Sequence, residues 1–310
     1  MQVVDFSQYC IFGMILAEPE GPSTTPTTTA MTLLKNFALA ALLSTAAAGA
    51  ANAGTVLADW IFNPLGGGYE NGQLVNEWLD INGNSFFQAN ATGGNGFSFR
   101  EHAVFNIVQA DSNGRLFPIT FPGGTITGTF EGSGTGQYGG SIDYTGGTLR
   151  LYQNPVDHQY GTEAGYYGAN LGREIARFEV YGGGGRVDAQ GMAVNSGQLL
   201  LLAAPVGGLD ERYFSLADGA RLSPNTRLAL SFTNANTIAA PRDTLVNEVA
   251  CQFAGFTGPG CGGGDFANDP NNYFVSSNGQ FKLVDVPEPG SLALFGIAML
   301  GVAAARRKRA

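Results

Sequence analysis

Short segments in which apolar and polar residues alternate follow one another between residues 54 and 286. In 125–130 and 176–180 every second position is apolar or glycine, which is typical of strands because successive side chains point to opposite faces. The segments predicted as strands are 55–62, 97–108, 125–130, 141–144, 148–152, 175–181, 198–203, 227–232 and 281–286.

Glycine runs lie between these segments and predict turns, at 66–68, 93–94, 123–124 and 182–185. Helical periodicity is visible only in 244–253. Many short strands joined by glycine turns predict an all-β fold, namely one antiparallel β-sandwich or jelly-roll-like domain over residues 54–285. A signal helix before it and a short hydrophobic helix after it complete the expected architecture.

The segment 31–53 has the three parts of an export signal. Met31 and Lys35 open a basic start, 37–43 is an apolar core, and Ala51 and Ala53 form an A-x-A cleavage site before Gly54. Cleavage after Ala53 and passage through the Sec machinery are therefore expected. Residues 1–30 are rich in proline and threonine, which predicts a disordered extension or a start assigned too early, with Met31 as the true start.

The last 25 residues carry a different pattern. Val286, Pro287, Glu288 and Pro289 precede the uncharged stretch 291–305, and four cations follow at 306–309. The prolines keep the motif extended, so an enzyme could grip it as a strand-like peptide. The cations after a hydrophobic stretch would hold the chain transiently in the inner membrane, although fifteen residues are short for a permanent span. The alternative of a buried core helix conflicts with four consecutive cations.

This order of motif, hydrophobic stretch and basic cluster resembles the PEP-CTERM signal of Gram-negative bacteria that make exopolysaccharide. The resemblance implies processing by an exosortase and a secreted or cell-surface destination. It assigns 286–310 as a sorting signal that acts before the β domain does its work.

The exported domain is acidic. Of the 25 acidic residues, three lie before Gly54 and one is Glu288, and of the 16 basic residues one lies before Gly54 and four end the chain. The domain therefore keeps 21 acidic and 11 basic residues, a net charge near −10. This charge argues against nucleic acid and anionic lipid surfaces as partners.

Two of the three cysteines, Cys251 and Cys261, fall in the exported domain. An even pair in an oxidising compartment predicts a disulfide, which would close a loop rich in glycine and proline. Closure of so small a loop stabilises by roughly 2–3 kcal/mol in the chain-entropy model. Zinc is the alternative, but the spacing matches no common zinc pattern and neither histidine is near the pair in sequence.

Catalytic motifs are weak in this sequence. A Gly-x-Gly-x-x-Gly at 134–139 lies between two strand-like segments, which favours a glycine-rich hairpin over a dinucleotide site. No Gly-x-Ser-x-Gly elbow occurs. His102 and His158 each follow an acidic residue, but neighbours on a strand point to opposite faces, so both are expected at the surface. We therefore expect a protein that is not an enzyme, although paired carboxylates of a polysaccharide-modifying enzyme remain an alternative.

Two further groups are candidates for binding. The aromatic side chains Trp60, Trp78, Tyr166 and Tyr167 could stack on sugar rings, although most aromatic residues of a β-sandwich belong to its core. The oxygen-rich residues Asp265, Asp269 and Asn271 crowd one loop and could hold calcium, but their spacing is not that of an EF-hand and also fits a polar turn. No other cofactor is expected.

The exported domain is also similar to the flocculation-associated PEP-CTERM proteins. The matching segments are short and span most of the domain, at 58–64, 75–80, 165–170, 175–178, 246–249 and 274–281. The resemblance implies a matrix protein that supports floc formation and exopolysaccharide-associated cell aggregation, with extracellular polysaccharide as its partner. A calcium-stiffened adhesin is an alternative for the same location.

Overall fold

The structure, a computed structural model, describes residues 54–194 and 199–286. The described residues form twelve strands: β1 (Thr55–Val56), β2 (Trp60–Phe62), β3 (Gln73–Val75), β4 (Trp78–Gly93), β5 (Gly96–Ala110), β6 (Thr125–Gln137), β7 (Ser141–Asn154), β8 (Arg173–Arg186), β9 (Leu199–Pro205), β10 (Phe214–Leu216), β11 (Thr226–Thr237) and β12 (Asn272–Asp285). The all-β prediction is therefore confirmed.

Eight of these strands close into an antiparallel barrel. Strands β4 to β9 pair in chain order, β9 pairs with β11, β11 with β12, and β12 returns to pair with β4. The predicted sandwich or jelly roll is not what this sheet forms, because the pairing of β12 with β4 joins the two ends of one sheet. Strands β10, β2 and β3 form a separate small sheet.

The barrel interior is filled by aromatic side chains. Phe178 on β8 and Phe281 on β12 lie 5.9 Å apart between ring centroids although their strands are not neighbours, so they meet across the interior. Glycines on β6 make room for other rings. A Cβ on Gly128 would lie 2.3 Å from the Phe105 ring, and one on Gly134 would lie 2.6 Å from the Phe99 ring. Alternating small and large residues thus set the packing of the core.

A second buried cluster lies on the outer face of the barrel. Phe86, Val104 and Phe274 project outward from β4, β5 and β12. They are covered by a helix that begins at Asp243–Leu245 and continues as a π-helix over Val246–Phe253. We call residues 243–253 the cover helix. The helix predicted at 244–253 is confirmed.

Other helical segments are short. Tyr69–Asn71 forms a 3₁₀ turn and Phe117–Thr120 one helical turn. Gly165–Gly168 is a tight turn in which Tyr166 and Tyr167 have left-handed φ values of 47° and 64°. No helix within residues 54–194 and 199–286 is long and apolar enough to cross a bilayer.

Several predicted boundaries were wrong. Strand β4 was not predicted, and the glycines at 182–185 lie inside β8 instead of forming a turn. The predicted strand 55–62 is split into β1 and β2 around Asp59, whose φ is 55°. The segments 141–144 and 148–152 belong to one strand, β7. The export signal, the extension 1–30 and the hydrophobic tail lie outside the described residues.

Candidate functional site

Four asparagines form a continuous row across four neighbouring strands of the barrel. Asn106 on β5 is paired in register with Asn82 on β4, Asn82 with Asn278 on β12, and Asn278 with Asn234 on β11. We call these four residues the asparagine row. Adjacent strands are about 4.8 Å apart, so the row is about 14 Å long. Asn106 is half-buried, whereas the other three are exposed.

A second line of polar side chains runs beside the row. Asn84 on β4 is in register with Ser276 on β12, and Ser276 with Asn236 on β11. Asn82, Asn278 and Asn234 of the row border a cleft of about 440 Å³ together with the second line and Tyr160, whereas Asn106 is not part of its lining. That volume lies within the range of sites that hold small ligands. We call it the amide cleft.

The amides of the row keep hydrogen-bonding capacity for a ligand. The Nδ2 of Asn278 donates to the Oδ1 of Asn82 at 2.8 Å, which fixes two neighbouring side chains. Within the described part of the chain, no hydrogen bond engages the Nδ2 of Asn82, the Oδ1 of Asn278 or the side chain of Asn234. At the β5 end of the row, the Oδ1 of Asn106 is buried and has no hydrogen-bond partner among the described residues. An amide carries both donors and acceptors, so the row can pair with groups of either kind.

Tyr160 forms a wall of the cleft and is held in place by its hydroxyl group. This group donates to the backbone oxygen of Val104 and accepts from the Nδ2 of Asn84, both at 3.1 Å. Burial raises the pKa of Tyr160 far above its ordinary value, so the hydroxyl remains a donor at any physiological pH. Its ring makes an edge-to-face contact with Tyr167 at 5.3 Å between ring centroids.

The cover helix supports the loop that carries these tyrosines. The buried Glu248 accepts a hydrogen bond from the backbone N–H of Tyr167 at 3.3 Å and one from the Nε2 of Gln252 at 2.9 Å. The ring of Phe253 stacks on Tyr166, with centroids 4.5 Å apart. The helix therefore fixes the turn at 165–168 and, through Tyr167, the wall of the cleft.

The predicted disulfide between Cys251 and Cys261 is present, with 5.6 Å between the two Cα atoms. It ties the end of the cover helix to the loop that follows. His102 was predicted at the surface and this was wrong: it is buried beneath Phe253, with ring centroids 5.0 Å apart. Burial lowers the pKa of His102, and the nearby charge of Glu131 opposes that effect. His158 is exposed, as predicted.

The amide cleft has no charged side chain among its described lining residues. Asp80, two positions before Asn82 on β4, accepts a hydrogen bond from the Nε2 of Gln109 at 2.8 Å. Further along the same two strands, where Trp78 on β4 is paired with Lys282 on β12, the Lys282 ammonium lies 5.0 Å from the ring centroid of Trp78. The cleft therefore suits an uncharged ligand rich in hydroxyl groups.

The barrel interior holds a different polar group. The buried Glu101 accepts a hydrogen bond from the hydroxyl of Tyr144. Burial raises the pKa of Glu101, against the opposing effect of its hydrogen bonds with Tyr144 and Ser85. Two cavities of about 20 and 30 Å³ border this carboxyl group. Each has room for about one water molecule, so neither can admit a sugar ring.

Another open cleft, of about 330 Å³, contains carboxylates. Glu174 pairs with Arg177 at 3.0 Å, and Asp210 pairs with Arg212. The hydrogen bond from Arg212 is the main cause that lowers the pKa of Asp210. A glycosidase needs one carboxylic acid that remains protonated, and the lowered pKa of Asp210 is the opposite of that property.

The aromatic residues predicted to contact glycan have different environments. Trp60 is fully buried, so this prediction was wrong: its ring stacks on Phe214, 6.2 Å away, in the core. Trp78, Tyr166 and Tyr167 are half-buried. Trp78 faces Lys282, and the two tyrosines pack in the loop beside Tyr160 rather than lining the amide cleft themselves.

The loop predicted for calcium adopts a polar turn at Asp269. Its Oδ1 accepts hydrogen bonds from the backbone N–H groups of Asn271 and Asn272, at 2.7 and 2.9 Å. Asp265 is exposed. No group of three or more histidine, cysteine, aspartate or glutamate residues within 54–194 and 199–286 is arranged to hold a metal ion.

Sequence reasoning missed the asparagine row altogether. Its members are up to 196 positions apart in the chain, and only the closure of the barrel brings Asn82 next to Asn278. The sequence contains one local signal of these residues. Asparagine is depleted in strands, yet three asparagines, at 82, 84 and 90, occupy a segment that is otherwise suited to a strand.

Comparison with known protein families identifies the end of the chain. A model of the PEP-CTERM protein-sorting motif matches residues 285–309, which include the predicted motif Val286 to Pro289. All but the first two of the matched residues lie outside the described ones. Comparisons with curated proteins and with solved structures give no match. The chain therefore carries a PEP-CTERM protein-sorting motif, which indicates an extracellular or surface protein sorted by an exosortase.

Proposed function

We propose that this protein is a component of the extracellular polymer matrix that supports floc formation and exopolysaccharide-associated cell aggregation. The observation that carries the proposal is the sorting motif at residues 285–309. It directs the β domain to the outside of the cell, where exopolysaccharide is the abundant polymer. The similarity of segments such as 58–64 and 274–281 to flocculation-associated PEP-CTERM proteins supports the same role.

The route to that location begins with the predicted signal at 31–53, which delivers the chain through Sec. The stretch 291–305 then inserts transiently in the inner membrane, the cations at 306–309 hold the end of the chain in the cytoplasm, and the exosortase acts at the motif around Glu288. The folded domain is released or displayed without its signals. Its negative charge favours neutral over anionic partners.

The structure supports a role in binding rather than catalysis. The two cavities beside Glu101, of about 20 and 30 Å³, are too small for a sugar ring, which favours binding on the outer surface. The alternative function, that of a polysaccharide-modifying enzyme, requires paired carboxylates beneath exposed aromatic rings. The described lining of the amide cleft has no carboxylate, and Glu174 and Asp210 in the other cleft are bound by arginines.

Deletion of the gene in the producing bacterium tests this function. We expect flocs to disperse, aggregation to return with the full gene, and no return with a gene lacking residues 286–310, because that protein is not sorted. Flocculation that is unchanged by deletion would refute the role. A parallel measurement with a calcium chelator separates the adhesin alternative, since aggregation that is lost with chelator and restored by calcium would favour it.

A further inference from the structure

We propose that Asn82, Asn278 and Asn234 of the asparagine row form, with Tyr160, a binding site for a linear, neutral polysaccharide, laid across strands β4, β12 and β11. This inference rests on the proposed function and names the surface that performs it. The site is continuous because these three asparagines are paired in register on adjacent strands. It is about 10 Å long, which is enough to contact more than one sugar unit.

The chemistry of the row matches that of a sugar chain. Each hydroxyl group of a sugar is both a donor and an acceptor, and each asparagine amide offers two donors and an acceptor. The exposed amides of Asn82, Asn278 and Asn234 retain this capacity in the folded chain. They are also partly ordered before binding, because Asn278 donates to Asn82, which reduces the entropy lost when a ligand binds.

Other features of the cleft exclude alternative ligands. The absence of charged side chains from its described lining gives no counter-charge to a polyuronate or a phosphate. The ring of Tyr160 supplies an apolar surface for one face of a sugar, and its hydroxyl group is already satisfied by Val104 and Asn84. Asparagine is unfavourable in strands, so four in register on one outer face are not explained by strand stability.

Affinity electrophoresis of the purified full chain tests the site. The probes are a linear galactomannan, a soluble cellulose derivative without charge, and alginate as an anionic polymer. We expect at least one neutral polymer to retard the protein, equally at low and high salt because no ionic contact is involved. Alginate should not retard it.

The decisive variant replaces Asn82, Asn278 and Asn234 together by alanine. Loss of several hydrogen bonds should weaken binding by about tenfold or more. Asn90→Ala, an exposed asparagine on β4 outside the cleft, should bind as the wild type does. Asn234→Asp is a second variant that preserves size at a side chain without a partner among the described residues, and it should also weaken binding. Thermal unfolding checks that each variant is folded.

Retardation that survives in the folded triple variant, retardation by alginate alone, or no retardation by either neutral polymer would each overturn the site. The wild-type protein could instead self-associate without being retarded by any polymer. If the triple variant loses that self-association, the row makes contacts between copies of the chain, and the polysaccharide site is overturned. If deletion of the gene abolishes flocculation but no neutral polymer binds, the matrix role stands and the site fails. If a neutral polymer binds through the row but deletion leaves flocs intact, the site stands and the matrix role fails.

Discussion

At the scale of single residues, the most unusual group is the carboxyl of Glu101 inside the barrel. It lies among apolar side chains, with Tyr144 and Ser85 as hydrogen-bond partners. Burial disfavours the charged form and raises the pKa of this group. An acid whose pKa is raised on folding stabilises the fold fully below its unfolded pKa, and this contribution is lost as pH rises through the folded pKa.

We therefore expect Glu101→Gln to stabilise the protein at pH 8 relative to the wild type, by about 1 kcal/mol or more, because it removes a buried ionisable group. The difference in the free energy of unfolding between the two proteins should be smaller at pH 4, where the wild-type carboxyl is protonated. Urea denaturation at both pH values measures it. Glu131→Gln, which changes an exposed carboxylate on the neighbouring strand, is the control. If the difference in the free energy of unfolding between wild type and Glu101→Gln does not vary with pH, this explanation is contradicted.

At the scale of elements, strand β6 shows how glycine positions determine the core. Its pattern of glycine and apolar residues was predicted as a strand from 125 to 130, and the structure extends it to Gln137. The glycines at 134 and 136, which formally match a dinucleotide motif, lie in this strand and face aromatic rings. The prediction of a glycine-rich hairpin between β6 and β7 agrees with their pairing.

Gly128→Ala should destabilise the barrel by about 1–3 kcal/mol, because the added Cβ would lie 2.3 Å from the ring of Phe105 in a filled interior. Gly146→Ala in β7 is the matched control, since a Cβ there meets no atom within 4 Å. The midpoint of urea denaturation measures both variants. Equal midpoints would show that the interior adjusts to the extra methyl group.

Strand β4 illustrates the opposite case, an element that the sequence concealed. Residues 78–93 include Asn82, Gly83, Asn84 and Asn90, residues that favour turns, so the alternating pattern was not recognised. In the barrel, β4 pairs with both β5 and β12 along most of its length. Hydrogen bonds on both sides and the inward side chains of Ile81 and Phe87 outweigh the poor local preference.

At the scale of the whole molecule, sorting and folding are properties of different parts of the chain. The domain ends at Asp285 in β12, and the matched motif begins at the same residue. The predicted motif Val286 to Pro289 therefore follows directly from the strand that closes the barrel.

Glu288→Ala should cause the protein to accumulate in the membrane fraction, because the exosortase no longer recognises the motif. Immunoblots of membrane and extracellular fractions measure the change, and we expect most of the extracellular signal to be lost. Glu77→Ala, an exposed carboxylate in the domain, is the matched control and should be distributed as the wild type is. The same distribution for both variants would show that this glutamate is not needed for sorting.

The sequence by itself determined the features that depend on local order. The sorting motif, the all-β class, the cover helix and the pairing of Cys251 with Cys261 each follow from residues close together in the chain. Only the tertiary structure decided that the sheet closes on itself, that Trp60 and His102 are buried, and that Asn106, Asn82, Asn278 and Asn234 form one row. The physical reason is that barrel closure and strand register join residues that are distant in sequence, and alternation along one strand carries no information about the partner strand.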